Sequence, residues 1–373
     1  MAADSEPGPA GDTTDAAAAA AAPAALAAPA AGAVAVGQPP VARDRSPVAT
    51  RGLGRLLSAN NVERWALVLV WIVVIAIFSI AEPSTYFQTS NFQTIFGSQA
   101  VLLMLSLGLM LPLTTGDFDL SIASNLALSS MLIAVLNVND GVGIIPAMLA
   151  GVGASTFLGI LNGGLVVLIG IDSFIVTLGT GTVALGIVQW ISNDHDITGT
   201  ASGLTSWTVG NSFLGFDLIF FYGIAATLLL FYIFEFTPLG RRLLFVGRGR
   251  SVSRLSGLRV NRIRWGSFIV GGFIAGIAGI MYAGSLQGAD PASAQTFLLP
   301  AFAACFLGAT AIRPGRFNPI GTFIAVYFLV SGITGLQLLG VQNFVQQLFY
   351  GGALVIAVAL STVARRRGGT RSA

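Results

Sequence analysis

Nineteen arginines and no lysine fall in four basic stretches, and the chain between them is long and apolar. The first stretch holds Arg43, Arg45, Arg51, Arg55 and Arg64. The second runs from Arg241 and Arg242 through Arg248, Arg250, Arg254, Arg259 and Arg262 to Arg264. Arg313 and Arg316 form the third, and Arg365, Arg366, Arg367 and Arg371 the last. Each apolar stretch cuts into an even number of membrane-length segments, so every arginine returns to the same face of a bilayer. Positive charge is retained on the cytoplasmic face. The chain reads as an all-α membrane protein, multi-pass in the bacterial cytoplasmic (inner) membrane, with N- and C-termini cytoplasmic. A mean hydropathy of +0.80 with 9% charged residues agrees with that class.

A rise of about 1.5 Å per residue across about 30 Å of hydrocarbon sets the segment length. Ten spans fit, near 65–82, 94–114, 120–138, 143–169, 173–192, 217–236, 265–285, 299–312, 317–337 and 343–363, and eight fit if two of the shorter segments are re-entrant. The segment at 299–312 is short for a full crossing and reads as tilted or broken. Trp65, Tyr86, Trp190 and Trp207 fall near span ends, where interfacial anchors belong. Residues 1–60 are rich in Ala and Pro and are expected to be a disordered cytoplasmic tail, because they carry too little apolar bulk to offset ordering. The membrane domain is expected over 61–365, followed by a basic cytoplasmic tail at 366–373.

Composition removes several chemistries. Without lysine there is no Gly-Lys-Ser/Thr phosphate loop and no Schiff base. One histidine, His195, and one cysteine, Cys305, cannot build a zinc site. No catalytic constellation, metal site or cofactor site is expected, and arginines scattered over span ends are not a nucleic-acid patch. Ionisable residues sit at span ends, which argues against proton symport. The polar groups within spans (Ser106, Ser129, Ser130, Asn162, Gln189, Ser331 and Thr334) suit a neutral hydroxylated solute. Sodium coupling at broken helices stays open. The spacings Gly159-x-x-x-Gly163 and Gly272-x-x-x-Gly276 allow close helix approach, within the bundle or at a dimer seam.

The stretch 237–264 is the longest basic loop. Arg241–Phe245 and Ser251–Leu258 are expected to form two short amphipathic helices hinged at Gly247 and Gly249, with Leu244, Leu255 and Leu258 as apolar anchors. Retention of positive charge accounts for the arginines but not for this amphipathic organisation. A docking element for a cytoplasmic partner accounts for both. A polar break at 113–125 contains Asp117, Asp119, Ser121 and Asn125. A second, from Asn162 to Thr180, contains Asp172, Phe174 and Thr177. For Asp119 and Asp172 two readings stand: a helix cap, or a group on a gate or pathway. Asp117 is a second gate or pathway candidate.

With those residues in view, the chain resembles the membrane permease subunits of bacterial ribose/xylose-type sugar ABC importers. Asp119-Leu-Ser121 within Gly116–Asn125 is similar to that family's Gly-x-x-Asp-Leu-Ser segment. Asn162-Gly163 with Phe174-Ile-Val-Thr177-Leu-Gly179-Thr180 resembles a second motif. Gly240-Arg241-Arg242 with Arg254-Leu-Ser256-Gly257-Leu-Arg259-Val resembles its coupling loop, and Gly271–Gly279 and Gly321-Thr322 match later segments. The likeness covers roughly residues 60 to 363.

It implies a polytopic bundle of about ten transmembrane helices with a cytoplasmic coupling loop. The implied partners are cytoplasmic ATP-binding subunits, an extracytoplasmic solute-binding protein, membrane lipid, and a second permease copy in a homodimer or heterodimer. By the same resemblance, Arg241, Arg242, Arg254, Ser256 and Gly257 belong to the ATPase contact. The chain itself is then no enzyme: it moves a sugar or polyol, and the ATP is hydrolysed elsewhere. Branched-chain amino acids or nucleosides are the alternative cargo, and an ion-coupled secondary carrier the alternative class. Departures cluster late: Leu298 replaces a family glutamate, Gly308-Ala309 replaces Gly-Gly, and Arg313-Pro314-Gly315-Arg316-Phe317 replaces Gly-Gly-Arg-Gly.

Overall fold

The computed structural model describes residues 59–342 and 344–370, so the expected disordered tail at 1–60 lies almost wholly outside the described residues, as does the end of the C-terminal tail. Fourteen α-helices occur among them. The first is α1 (Ala59–Ala81), followed by the broken pair α2 (Thr89–Ser98) and α3 (Ala100–Thr114). Next come α4 (Ile122–Ala134), α5 (Ile144–Gly164) and α6 (Ser173–Ser192). A single turn, α7 (Ser202–Thr205), precedes α8 (Leu218–Phe236), α9 (Pro238–Arg248) and α10 (Arg250–Leu255). The chain then forms α11 (Val260–Leu286), α12 (Leu298–Gly308), α13 (Pro319–Leu338) and α14 (Phe344–Thr370). Short π-helical turns extend α4 to Asn139 and α5 to Ile169.

Each of the ten expected segments contains a helix. Eight are long and apolar enough to cross a membrane; the remaining two, Ser293–Gly308 and Phe344–Leu360, are shorter. Joins expected on one face do meet. The Ile312 amide donates to the Arg64 carbonyl at 2.9 Å, and Arg250 reaches Asp117 at 2.8 Å. At the opposite end, Ile197–Thr198 pairs antiparallel with Gly288–Ala289, and the Ala201 amide donates to Asn137.

Burial separates a central layer from a peripheral one. Of the membrane-length window in α2–α3, 78% is buried, against 6% in α1. Every residue of α3 is buried, as expected of a helix apolar on all sides. Against it lies α11, which packs most extensively on α5, α3 and α4. The two small-residue spacings meet here within one chain. A Cβ on Gly272 would lie 2.7 Å from the Ser155 carbonyl oxygen, and one on Gly159 would lie 2.5 Å from that of Phe268. Ser155 and Ser129 donate to the carbonyls of Gly272 and Gly276 at 2.6 and 2.9 Å, giving the seam polar glue.

Two expectations need correction. Tyr86 is fully buried and donates to the Ser331 carbonyl at 3.1 Å, so it is a packing residue and not an interfacial anchor. Trp65, Trp190 and Trp207 are exposed, as anchors are.

The segment at 299–312 is short, as its sequence indicated: its helix ends at Gly308. The join ahead of it folds back into the bundle, where Gln295 donates to Ser124 at 3.0 Å. Ser124 lies about 22 Å along its helix from Asn139, at about 1.5 Å per residue. A join that reaches so deep leaves α12 little depth to cover. Finally, most span hydroxyls are not free for a solute: Ser106 and Ser130 bond carbonyls of their own helices, and Ser331 accepts from Trp71.

Candidate functional site

The site is built where the joins α3–α4 and α5–α6 meet the start of α11. Asp117 is 2% exposed and is gripped by Arg264, whose Nε donates to Oδ2 at 2.8 Å and Nη2 to Oδ1 at 2.6 Å. This two-pronged geometry is the strong form of a guanidinium–carboxylate pair. A second guanidinium, from Arg250 on α10, donates to the Asp117 Oδ1 and to the Gly116 carbonyl, each at 2.8 Å. The α3–α4 join is thereby fastened to the helical loop 133 residues away.

Two residues on, a buried polar chain begins. Asp119 Oδ1 accepts from the Ser121 amide at 3.0 Å and from its hydroxyl at 2.6 Å, the local bond that Asp makes ahead of a helix. Ser121 Oγ also accepts from Asn162 Nδ2 at 2.8 Å, and Asn162 Oδ1 accepts from Thr180 at 2.6 Å. The first turn of α6 holds the facing backbone. Ser173 accepts from the Phe118 amide and Thr177 from the Leu120 amide, both at 3.0 Å. Burial pushes the Asp119 carboxyl up to about 6, opposed by its bonds from Ser121.

Three atoms here stay unsatisfied: Asp119 Oδ2 and both amide atoms of Asn125, which is fully buried. Ser121 and Asn125 are four residues apart and share a face of α4. Buried polar atoms without partners are uncommon. Together they amount to one donor and two acceptors without a partner among the described residues.

The site therefore joins Asp119, Ser121, Asn162 and Thr177, with Asn125 beside them and Asp117 toward the arginines. Asp172 instead caps α6, accepting from the Phe174 amide at 2.9 Å. It lines a cleft of about 460 Å³ with Asp117, Arg250, Arg254, Asn261 and Arg264. Phe174 is exposed on α6 and outside the network.

The basic loop forms α9 and α10 as two helices broken at Gly249, but Gly247 is no hinge. A Cβ there would lie 1.9 Å from the Thr114 carbonyl oxygen, so glycine lets α9 press on the end of α3. Leu244 packs on the core, whereas Leu255 is 89% exposed and is no anchor among the described residues. Arg241 and Arg242 line a groove with Phe245 and Leu258, while Arg254 faces the cleft holding Asp117. Gly257 takes a φ of +78° in the turn into α11, and Ser256 donates to the Val252 carbonyl.

Sequence reasoning missed the pairing of Arg250 and Arg264 with Asp117, and the parts of Thr180, Ser124 and Gln295. One signal was available: an acid that begins a span among arginines has to be either solvated or paired.

The comparisons with known proteins agree with this architecture. The chain is 31% identical over 289 residues to the ribose import permease protein RbsC of Bacillus subtilis, covering 77% of this chain and 89% of that one. It is 28% identical to the D-allose transport system permease protein AlsC of Escherichia coli, over 80% and 91% of the two chains. Identity is also 28% to the L-arabinose ABC transporter permease protein AraH of Azospirillum brasilense, over 82% and 89%. No solved structure matches the chain. The family model described as branched-chain amino acid transport system / permease component matches residues 91–358, most of the bundle, and the chain belongs to that family.

Proposed function

We propose that the chain is the membrane-spanning permease subunit of an ABC importer, translocating a sugar or polyol across the cytoplasmic membrane. ATP hydrolysis on partner subunits drives it, and a second permease copy and an extracytoplasmic binding protein complete the system. The ion-paired link from α10 through Asp117 to the buried Asp119–Ser121–Asn162–Thr180 chain carries the reading. A push on α9 and α10 would reach the polar chain through few, stiff contacts.

Sidedness is inferred from the arginines: among the described residues, Arg64, Arg248, Arg313 and Arg316 converge at one end of the bundle, the end where Arg250 meets the α3–α4 join. The partner's footprint is Arg241, Arg242, Arg254, Ser256 and Gly257, with exposed Val252 and Leu255 supplying apolar contact among them. Three relatives are named for sugars, and the unsatisfied Asn125 amide suits hydroxyls that both donate and accept. A branched-chain amino acid, the cargo in the family's description, would bring an ammonium and a carboxylate. The carboxylate would need a countercharge, and the arginines nearest the polar chain are committed to Asp117.

Uptake by proteoliposomes containing the permease, its ATPase and its binding protein tests the proposal. Sugar uptake that requires ATP is expected, and uptake driven by an ion gradient without ATP contradicts it. Charge reversal, Arg241→Glu or Arg254→Glu, is expected to lower uptake at least tenfold while thermal unfolding of the bundle stays unchanged. Normal uptake by both variants would exclude these arginines from the docking surface.

A further inference from the structure

A strongly basic cavity lies away from the Asp117 site. A cleft of about 590 Å³ is lined by Arg64 and Trp65 at the foot of α1, Arg248 at the end of α9, and Ile312, Arg313, Pro314 and Arg316 in the α12–α13 join. Three distant parts of the chain thus converge to hold four guanidiniums together. Glu235 pairs with two of them, Arg313 at 2.8 Å and Arg316. Among the described residues no carboxylate pairs with Arg64 or Arg248, and Arg316 Nε is buried without a hydrogen-bond partner. Like charges held this close repel unless an anion lies among them. Burial lowers the Arg316 pKa first; Glu235 opposes this, and the Arg313 and Arg248 charges lower it further.

The backbone is also committed to this shape. Ile312 is β-branched yet has a φ of +57°, a conformation that such side chains rarely adopt. The amide it turns inward donates to the Arg64 carbonyl at 2.9 Å, tying the join to the foot of α1. Helix α1 is the least buried of the long spans, and Trp65 is 54% exposed beside the cleft. The cavity therefore lies at the rim of the bundle, where lipid headgroups meet a lipid-facing helix. Its lining takes in Arg313, Pro314 and Arg316, from the segment where this chain departs from its family's pattern.

We propose that this cleft binds the phosphate group of an anionic phospholipid of the arginine-side leaflet. Guanidinium forks match phosphate oxygens two at a time, and a basic rim concentrates anionic lipid at the membrane surface. Arg64 and Arg248 are the primary ligands, since the other two arginines share Glu235. The bound lipid ties the foot of α1 to the end of α9.

Native mass spectrometry of the full chain released from detergent, with phosphatidylglycerol or phosphatidylcholine as the probe, tests this. One tightly retained phosphatidylglycerol is expected, with at least tenfold lower retention in Arg64→Gln/Arg248→Gln. Arg262→Gln, which removes an exposed arginine outside the cleft, is expected to retain it as the parent does. Arg248→Gln alone provides a milder variant, with severalfold lower retention expected. Equal retention by the parent and both cleft variants would overturn the proposal, as would retention of phosphatidylcholine equal to that of phosphatidylglycerol. Displacement of the lipid by millimolar inorganic phosphate would reassign the cleft to a free phosphate and overturn the lipid.

Discussion

Replacing Asp117 by alanine is expected to destabilise the bundle by about 3–5 kcal/mol and to abolish sugar-dependent transport. Asp117 is 2% exposed and Arg264 only 11%, so the variant strands a desolvated guanidinium that pairs with no other carboxylate among the described residues. Arg250, 39% exposed, can turn toward water and loses much less. Thermal unfolding in detergent measures the first effect and uptake in proteoliposomes the second. A double replacement separates them. Asp117→Leu with Arg264→Met removes both charges and retains bulk, and such exchanges are often neutral or stabilising. Recovered stability without recovered transport is the expected result, because the link to α10 is gone. If Asp117→Ala unfolds and transports like the parent, the ion pair neither holds the site together nor transmits motion.

Gly272→Leu is expected to cost about 3 kcal/mol or more and to prevent accumulation of folded protein. The added carbons have nowhere to go: a single Cβ already falls 2.7 Å from the Ser155 carbonyl oxygen and 3.2 Å from the Gly159 Cα. The obstacle is backbone, which cannot rotate aside as a side chain can. To fit leucine, α5 and α11 must separate along the largest helix contact in the bundle, losing the Ser155 bond to Gly272 as they part. Gly266→Leu is the control within the same helix, because nothing lies within 4 Å of a Cβ there. Expression and gel-filtration profiles should be near normal for Gly266→Leu and collapse for Gly272→Leu. Equal behaviour would mean that α5 and α11 do not pack so closely in the membrane.

The membrane-spanning pattern was largely legible in the sequence, because each crossing needs some twenty apolar residues whatever they touch. The arginine stretches then gave the alternation, and Gly159 and Gly272 gave the spacing of a close seam. Partnership was not legible. Asp117 meets Arg250 and Arg264 across 133 and 147 residues, and local pattern holds no information at that range. Tyr86 looked like an interfacial anchor because its place near a span end is sequence information, whereas its burial under Phe78 and Phe92 is not. The short α12 was visible as a short segment. Its cause, a join folded back to Ser124, needed the third dimension. Asn125 was legible as a polar residue in a polar break, but not as one whose amide finds no partner among the described residues.

The account rests on α9 and α10 lying in the cytoplasm, within reach of an ATPase. Cysteine at position 255 tests this directly, since Leu255 is 89% exposed and the native Cys305 is buried and gives no background. A membrane-impermeant maleimide should leave Leu255→Cys unmodified in intact cells and label it once the membrane is opened, while Asp194→Cys in the opposite join is labelled in intact cells. Labelling of Leu255→Cys in intact cells would invert the topology and contradict the docking of any ATPase on this loop.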